Sequence, residues 1–256
     1  MAVFCEIQVA RVRRLSPHMA RISFTGEGLR GLTATCPDAY VKLFFPLAGQ
    51  ERPELPDMLC DSWYQNYLGM PEEIRPPIRT YTVRAHRGTE LDIDFVLHGD
   101  TGPASRWALS ARPGQTIALL GTGGLHTVPA GTDYQLLIGD ETALPAIGAI
   151  LERLSPGAVA HAYIEVPSPA EQQRFTTLGN VEVHWLHRGA QAHGQAVLNA
   201  VRMARLPEGT PYGWISGEAG MVKFARRHLV NDRGIAKSNI TFTGYWRRGA
   251  THDQLV

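Results

Sequence analysis

Cysteine, charge of one sign and long apolar runs are all scarce in this chain of 256 residues. Its 25 Lys and Arg nearly cancel 24 Asp and Glu, leaving a formal net charge of +1. That balance gives no electrostatic reason to expect nucleic acid or an anionic membrane as partner. Apolar runs such as Tyr134 to Ile138 are strand-length, far short of the ~20 residues that span a bilayer. The opening Met1-Ala2-Val3-Phe4-Cys5-Glu6-Ile7-Gln8 lacks the basic-then-apolar order of a secretory leader. Cys5, Cys36 and Cys60 lie far apart, with no C-x-x-C pair. Scattered thiols in odd number fit a reducing compartment and leave no iron–sulfur or zinc site. No G-x-G-x-x-G, internal repeat, catalytic triad or metal-ligand cluster stands out. The expectation is a cytoplasmic protein of one large or two modest domains, a monomer without bound metal.

What is present falls into two rhythms. Phe4 to Val12 and Met19 to Phe24 alternate or nearly so, and Thr25-Gly26-Glu27-Gly28 supplies turn chemistry. Tyr40–Phe45, Ile78–Ala85, Glu90–His98 and Ile117–Leu120 add strands, and Pro103–Ala111 reads as one short helix. Such a series points to a small antiparallel β-barrel. Residues 46–78, rich in Pro and acidic groups, carry Trp63, Tyr64 and Tyr67 and read as a lid or functional excursion without a regular element. After Val128-Pro129-Ala130-Gly131-Thr132, strands alternate with helices. The strands are Tyr134–Ile138, Ala158–Val166, Val181–His187, Tyr212–Ser216 and Asn239–Tyr245; the helices are Pro145–Leu154, a weak one near Pro169–Phe175, Gln195–Leu206 and Ala219–Val230. This is the pattern of an α/β domain with a parallel sheet, which takes ligands beyond the carboxyl ends of its strands. The expected division is 1–128 for the barrel and 129–256 for the α/β domain.

Five strings carry the chemistry. In Ile78-Arg79-Thr80-Tyr81-Thr82-Val83-Arg84, strand alternation puts Arg79, Tyr81 and Val83 on one face and Thr80, Thr82 and Arg84 on the other. A guanidinium fork and a phenol two residues apart suit a diphosphate and a polyol or ring, although the same peptide also reads as an edge strand with solvated arginines. Asp94-Phe95-Val96-Leu97-His98 runs through Gly99-Asp100-Thr101-Gly102 into Pro103-Ala104-Ser105-Arg106-Trp107. Pro103 suits the first helical position, Thr101 or Gly102 can cap, and a helix start of this kind receives phosphate. Gly139-Asp140-Glu141-Thr142-Ala143 and Gly217-Glu218-Ala219-Gly220-Met221 each stand at a strand-to-helix turn, and each alone also reads as a capped helix start. Gly244-Tyr245-Trp246-Arg247-Arg248-Gly249 closes the last strand, where core packing is the plainer reading of the two aromatics. Glu165 ends a strand where a carboxylate can hold an adenosine ribose, with no obvious arginine beside it, so NADH and NADPH stay open. Arg188, Arg226 and Arg227 read either as partners of a 2′-phosphate or as solvated side chains.

Taken together, these strings resemble the siderophore-interacting protein family, a branch of the ferredoxin-reductase-like flavoproteins. The carrying motifs are R-x-Y-[ST] at Arg79 to Thr82, D-x-x-x-H-x-x-x-G-P-A-x-x-W at Asp94 to Trp107, G-D-E-T-A-L-P-A at Gly139 to Ala146, G-E-A at Gly217 to Ala219, and G-Y-W-R-x-G at Gly244 to Gly249. The resemblance implies an FAD-binding barrel followed by an NAD(P)H-binding domain. Arg79 would hold the FAD pyrophosphate, Tyr81 the ribityl and ring region and Thr82 the ring edge, with Thr80 between them. His98 would lie beside the flavin, and Thr101, Gly102, Pro103, Ala104 and Ser105 would cradle phosphate. Asp140, Glu141, Thr142 and Ala143, with Glu218, would line the nicotinamide side, and Tyr245 or Trp246 would approach the ring. Lys42 and Arg247 would meet an anionic ferric siderophore. Where the family reads G-P-x-G-S, often with a basic x, this chain has Gly121-Thr122-Gly123-Gly124-Leu125-His126, with His126 as the nearest substitute. The implied activity is reduction of ferric siderophore by NAD(P)H through FAD. The alternatives are a reductase exchanging electrons with a protein such as ferredoxin, and a non-catalytic siderophore-binding module.

Overall fold

Period-two alternation builds the first half into β1 (Phe4–Ser16), β2 (Met19–Thr25), β3 (Tyr40–Phe44), β4 (Ile78–Thr82), β5 (Ala85–Arg87), β6 (Glu90–Val96) and β7 (Thr116–Gly123), with helices α1 (Trp63–Leu68) and α2 (Pro103–Ser110). The computed structural model describes residues 3–58, 62–99 and 102–250, together with the backbone but not the side chain of Thr122. The strands form one antiparallel sheet in the order β4-β3-β7-β1-β2-β6-β5. Its inward residues make a core that includes Phe24, Val41, Leu43, Phe45, Phe95 and Trp107. Trp107 brings α2 into that core, its ring 5.3 Å from Phe45 and stacked 6.2 Å from Phe24. The edge strand β4 and the penultimate strand β6 meet without a hydrogen-bonded ladder; the Tyr81 and Phe95 rings, 4.4 Å apart, close the seam instead.

The segment 46–78 departs from expectation. It contains the regular turn of helix α1, which lays Trp63 and Tyr67 against Phe44 on the outer face of the sheet, each with ring centres 6.2 Å from it. Phe44, Ile78, Ala118 and Leu120 alternate outward from their strands, so without this cover the sheet would expose an apolar patch. Cys60 lies outside the described residues.

The second half forms β8 (Tyr134–Gly139), α3 (Leu144–Glu152), β9 (Val159–Val166), β10 (Asn180–His187), α4 (Gln195–Met203), β11 (Pro211–Glu218), α5 (Ala219–Asn231) and β12 (Ile240–Trp246). The parallel order is β10-β9-β8-β11-β12. Every residue of β8 is buried, as a strand covered on both faces requires. The helix expected near Pro169–Phe175 is only a single 3-10 turn, Pro169–Glu171. No described helix is long and apolar enough to cross a membrane.

The chain divides into two units, Met1–Thr35 with Ala39–Gly124, and Cys36–Asp38 with Leu125–Val256. Asp38 explains the assignment of its short segment. Its carboxylate accepts from the amides of Leu125 and His126, each at 2.9 Å, and from the Trp214 indole at 3.0 Å.

Candidate functional site

In the first unit, β4 pairs Arg79 with Leu43, Thr80 with Lys42 and Tyr81 with Val41. Because Val41 and Leu43 point into the core, Arg79 and Tyr81 share that inner face, while Thr80 and Lys42 share the outer one. Burial pushes the Tyr81 phenol well above its ordinary range, with the Arg79 cation opposing, so the group stays neutral. Arg79 Nη1 donates to the Ile78 carbonyl at 2.7 Å. Thr82 is buried, Thr80 exposed and Lys42 half-buried.

Beyond β6 the chain turns through Gly99 (φ +82°) into α2. Ser105, expected to cradle phosphate, has its hydroxyl committed to the turn: it donates to the Gly99 carbonyl at 2.7 Å and accepts from the His98 amide at 3.1 Å. A Cβ at Gly102 would lie 3.2 Å from the exposed His98 ring, a tight contact that the ring must shift to relieve. Pro103 opens the helix, with Gly102 as its N-cap. That helix has no side-chain cap and no acidic residue in its first turn, so among the described residues its free N–H groups and positive dipole end have no anionic cap. Ala104 is buried, and Thr101 lies outside the described residues. A groove of about 880 Å³ runs between the loop at Leu47–Gln50, Pro77, and Pro103, Arg106 and Trp107 of α2. Trp107 Nε1, sealed from solvent, has no hydrogen-bond partner among the described residues. Asp94, conspicuous in the sequence motif, instead locks the sheet: it accepts from Arg21 at 2.6 and 2.8 Å.

In the second unit the carboxyl ends of β8, β11 and β12 converge on Asp140, which is fully buried. One carboxylate oxygen accepts from the Thr142 amide at 2.9 Å and from its hydroxyl. The other accepts from the Glu218 amide at 2.8 Å, His193 Nε2 at 3.0 Å and Trp246 Nε1 at 3.1 Å. Burial alone would raise this carboxyl, but the bonds from His193 and Thr142 outweigh it and hold the group below its usual range. Gly217, at φ +135°, gives the carboxylate room: a Cβ there would lie 2.7 Å from it. Gly217→Ala is therefore expected to cost roughly 2–4 kcal/mol from combined backbone strain and clash, read as a lower denaturation midpoint; a neutral result would remove the constraint. Glu218 caps α5 by accepting from the Met221 amide at 2.9 Å, and also receives the Arg248 amide at 3.3 Å. Ala143 is buried, Tyr245 half-buried and Arg247 exposed.

The sequence reading of Glu165 needs correction. It does face an arginine, since Arg188 donates to it at 3.2 Å and to Glu141 at 2.8 and 3.1 Å. The Glu165 carboxylate is also buried beneath the amides of Gly194 and Val197, at 2.7 and 3.1 Å, and so caps the start of α4 rather than standing open to a ribose. Arg188 also meets His193 Nδ1, joining this cluster to Asp140. Arg226 is stacked 4.4 Å from the Phe242 ring, and Arg227 is exposed. His126 is buried, bonded to Gln135 at 2.8 Å, and burial pushes its imidazole down; it is not a surface cation. Asp38 and His193 emerge as organising residues, signalled in sequence only by being polar residues in loops, and Arg188, read there as a 2′-phosphate partner or a solvated side chain, joins them.

Strand register and turns also bring potential ligand side chains together in ways that sequence spacing does not show. The fold gathers Asp140, Glu141 and His193 in one place and His161, Glu182 and His184 in another. The first group is spoken for by the bonds just described.

Residues 8–126 match the family model described as the siderophore-interacting FAD-binding domain, and residues 132–249 match that described as siderophore-interacting protein. An NADPH-dependent ferric-chelate reductase of Escherichia coli is 33% identical, over 95% of this chain and 92% of its own length. A ferric vibriobactin reductase of Vibrio cholerae is 30% identical over 96% of this chain and 90% of its own. The crystal structure of a siderophore utilization protein from T. fusca aligns with a TM-score of 0.84 at 33% identity, covering 98% of this chain and 95% of that one.

Proposed function

The chain belongs to the siderophore-interacting protein family, and from that premise we propose that it reduces iron(III) held in a siderophore with electrons from NAD(P)H, using FAD as cofactor. The observation that carries this reading is the start of α2. Its first turn has no side-chain cap, and Pro103, Arg106 and Trp107 of the same helix line a groove of about 880 Å³. Free N–H groups at the positive end of a helix dipole suit a phosphate group. The residues present therefore fit FAD.

Arg79 holds the pyrophosphate together with the first turn of α2 at Gly102, Pro103 and Ala104, where charge and helix dipole act in the same sense. Tyr81 packs against the ribityl and ring region, Thr80 and Thr82 flank the ring edge, and His98 lies beside it. Ser105 acts one step back, shaping the turn. Asp140 and Thr142 hold the strand ends at which the nicotinamide binds, Glu141 and Ala143 border them, and Glu218 shapes the next turn. Trp246 is positioned by Asp140, and Tyr245 stands next to it on β12. Lys42 and Arg247 supply positive charge to an anionic siderophore.

Bound FAD supplies the exchange between a two-electron donor and a one-electron acceptor. One NAD(P)H yields two electrons and a proton, enough to turn two Fe(III) into two Fe(II). Ferrous iron matches hard oxygen ligands less well, so the chelate loosens. The E. coli relative, named for NADPH, favours that nucleotide here. The test is anaerobic: the yellow protein is mixed with NADH or NADPH, then with a ferric siderophore, while flavin absorbance and a ferrous-iron trap are followed. Bleaching, then recovery in step with Fe(II), supports the reading and identifies the faster nucleotide. A bound flavin that neither nucleotide bleaches points to a reduced protein such as ferredoxin as donor, or to a binding module. Protein that cannot take up flavin overturns the proposal.

A further inference from the structure

The edge of the parallel sheet carries a cluster that the reductase chemistry does not use. Strands β9 and β10 run parallel with His161 opposite Glu182 and Tyr163 opposite His184. Glu182 and His184, two residues apart, therefore share a face with His161. Glu182 Oε2 lies 3.2 Å from His161 Nδ1, and Oε1 lies 3.4 Å from His184 Nε2. Ligand atoms of all three side chains fall within 4.8 Å of one another.

Two explanations compete, a hydrogen-bonded trio and a metal site. A trio would satisfy the ring nitrogens. Yet His184 Nε2 is sealed from solvent and has no hydrogen-bond partner among the described residues, so its approach to Glu182 is not an aligned hydrogen bond. An ion about 2.0–2.1 Å from each of two tetrahedral ligands separates those ligands by about 3.3–3.4 Å, and the two separations of 3.2 and 3.4 Å lie near that edge. The imidazoles are held by aromatic packing: Tyr163 stacks on His184 at 4.3 Å, and Tyr134 meets His161 edge-on at 6.2 Å. A cavity of about 330 Å³, walled by Ala200, Met203 and Ala204 and with exposed Arg205 also on its lining, adjoins the cluster and leaves room for water ligands.

We propose that His161, Glu182 and His184 bind one divalent first-row transition-metal ion through two imidazoles and a carboxylate, with solvent completing its shell. That ligand set suits Zn(II), Ni(II), Co(II) or Fe(II) and not Mg(II) or Ca(II). The site lies toward the amino ends of β9 and β10, whereas Asp140 and Gly217 stand at carboxyl ends. It therefore goes beyond the proposed reductase and does not depend on it.

Chelator-treated, flavin-loaded protein should be titrated with Zn(II) by calorimetry and with Co(II) by visible absorption. The expected result is saturation at one ion per chain and a Co(II) spectrum of nitrogen and oxygen ligation. His161→Gln and His184→Gln should each weaken binding by about 100-fold or more, with circular dichroism unchanged. Should either histidine variant misfold, Glu182→Gln, at a side chain 62% exposed, keeps the comparison open and should weaken binding about 10-fold. Wild-type protein with no saturable binding by about 1 mM, or variants that bind like the wild type, would overturn the proposal.

Discussion

Arg79→Ala is expected to purify nearly colourless and, after FAD is added back, to bind it about 30- to 700-fold more weakly than the parent. The figure follows from removing one member of a desolvated charge pair, about 2–4 kcal/mol. Arg79 emerges on the inner face of β4, opposite Leu43 and two residues from half-buried Tyr81. A phosphate held there is shielded from water on the barrel side, so the loss should exceed that of an exposed ion pair. Arg79→Lys should recover only part of the affinity, because a point charge replaces a bidentate fork. Titration of stripped protein by flavin fluorescence separates these cases. Full affinity in Arg79→Ala would remove the residue from the pyrophosphate role while leaving the fold untouched.

Asp140→Asn is the second large effect, expected on stability before chemistry. The substitution keeps the size of the side chain but gives it an NH₂ group. One orientation sets that group against the Glu218 amide and the Trp246 indole, and the other sets it against the Thr142 amide. Two donors face each other either way, at a fully buried position. A cost of about 3–5 kcal/mol is expected, read as an earlier denaturation of the α/β unit by Trp fluorescence. The pH dependence has a definite sign. Because Asp140 titrates below its ordinary value when folded, its stabilising contribution is complete above about pH 5 and fades as pH falls below about 4, through the folded value. The Asn variant lacks this acid-side loss, so its deficit should narrow in acid. A midpoint within about 1 kcal/mol of the parent at neutral pH would mean that Asp140 does not hold the strand ends together.

Much of this architecture is legible in sequence, for identifiable reasons. Strands such as Tyr134–Gly139 are buried on both sides and so read as continuous apolar runs. Pro103 and Gly99 mark a turn and helix start through backbone rules that need no distant partner. What sequence hid was long-range polar pairing. Asp38 and Trp214 are 176 positions apart, and Trp246 and Asp140 are 106 apart, with no periodicity to connect them. Glu165 looked available for a ribose because its amide and arginine partners arrive from a later loop. Helix α1 escaped notice because its role, covering the outer face of another strand set, is not written in its own six residues. His161 and Glu182 likewise meet only through strand register.

The seam between β4 and β6 has a consequence for handling the protein. Because β4 ends its sheet and meets β6 through rings instead of a ladder, it presents an unzipped strand margin, the kind of margin on which polypeptides associate with one another. Under the proposed placement of Arg79 to Thr82, a flavin lies along that margin and works as a stopper against self-association. Solubility and cofactor content then become linked properties: preparations low in flavin should be those that turn cloudy on concentration, and flavin added during purification should keep them clear.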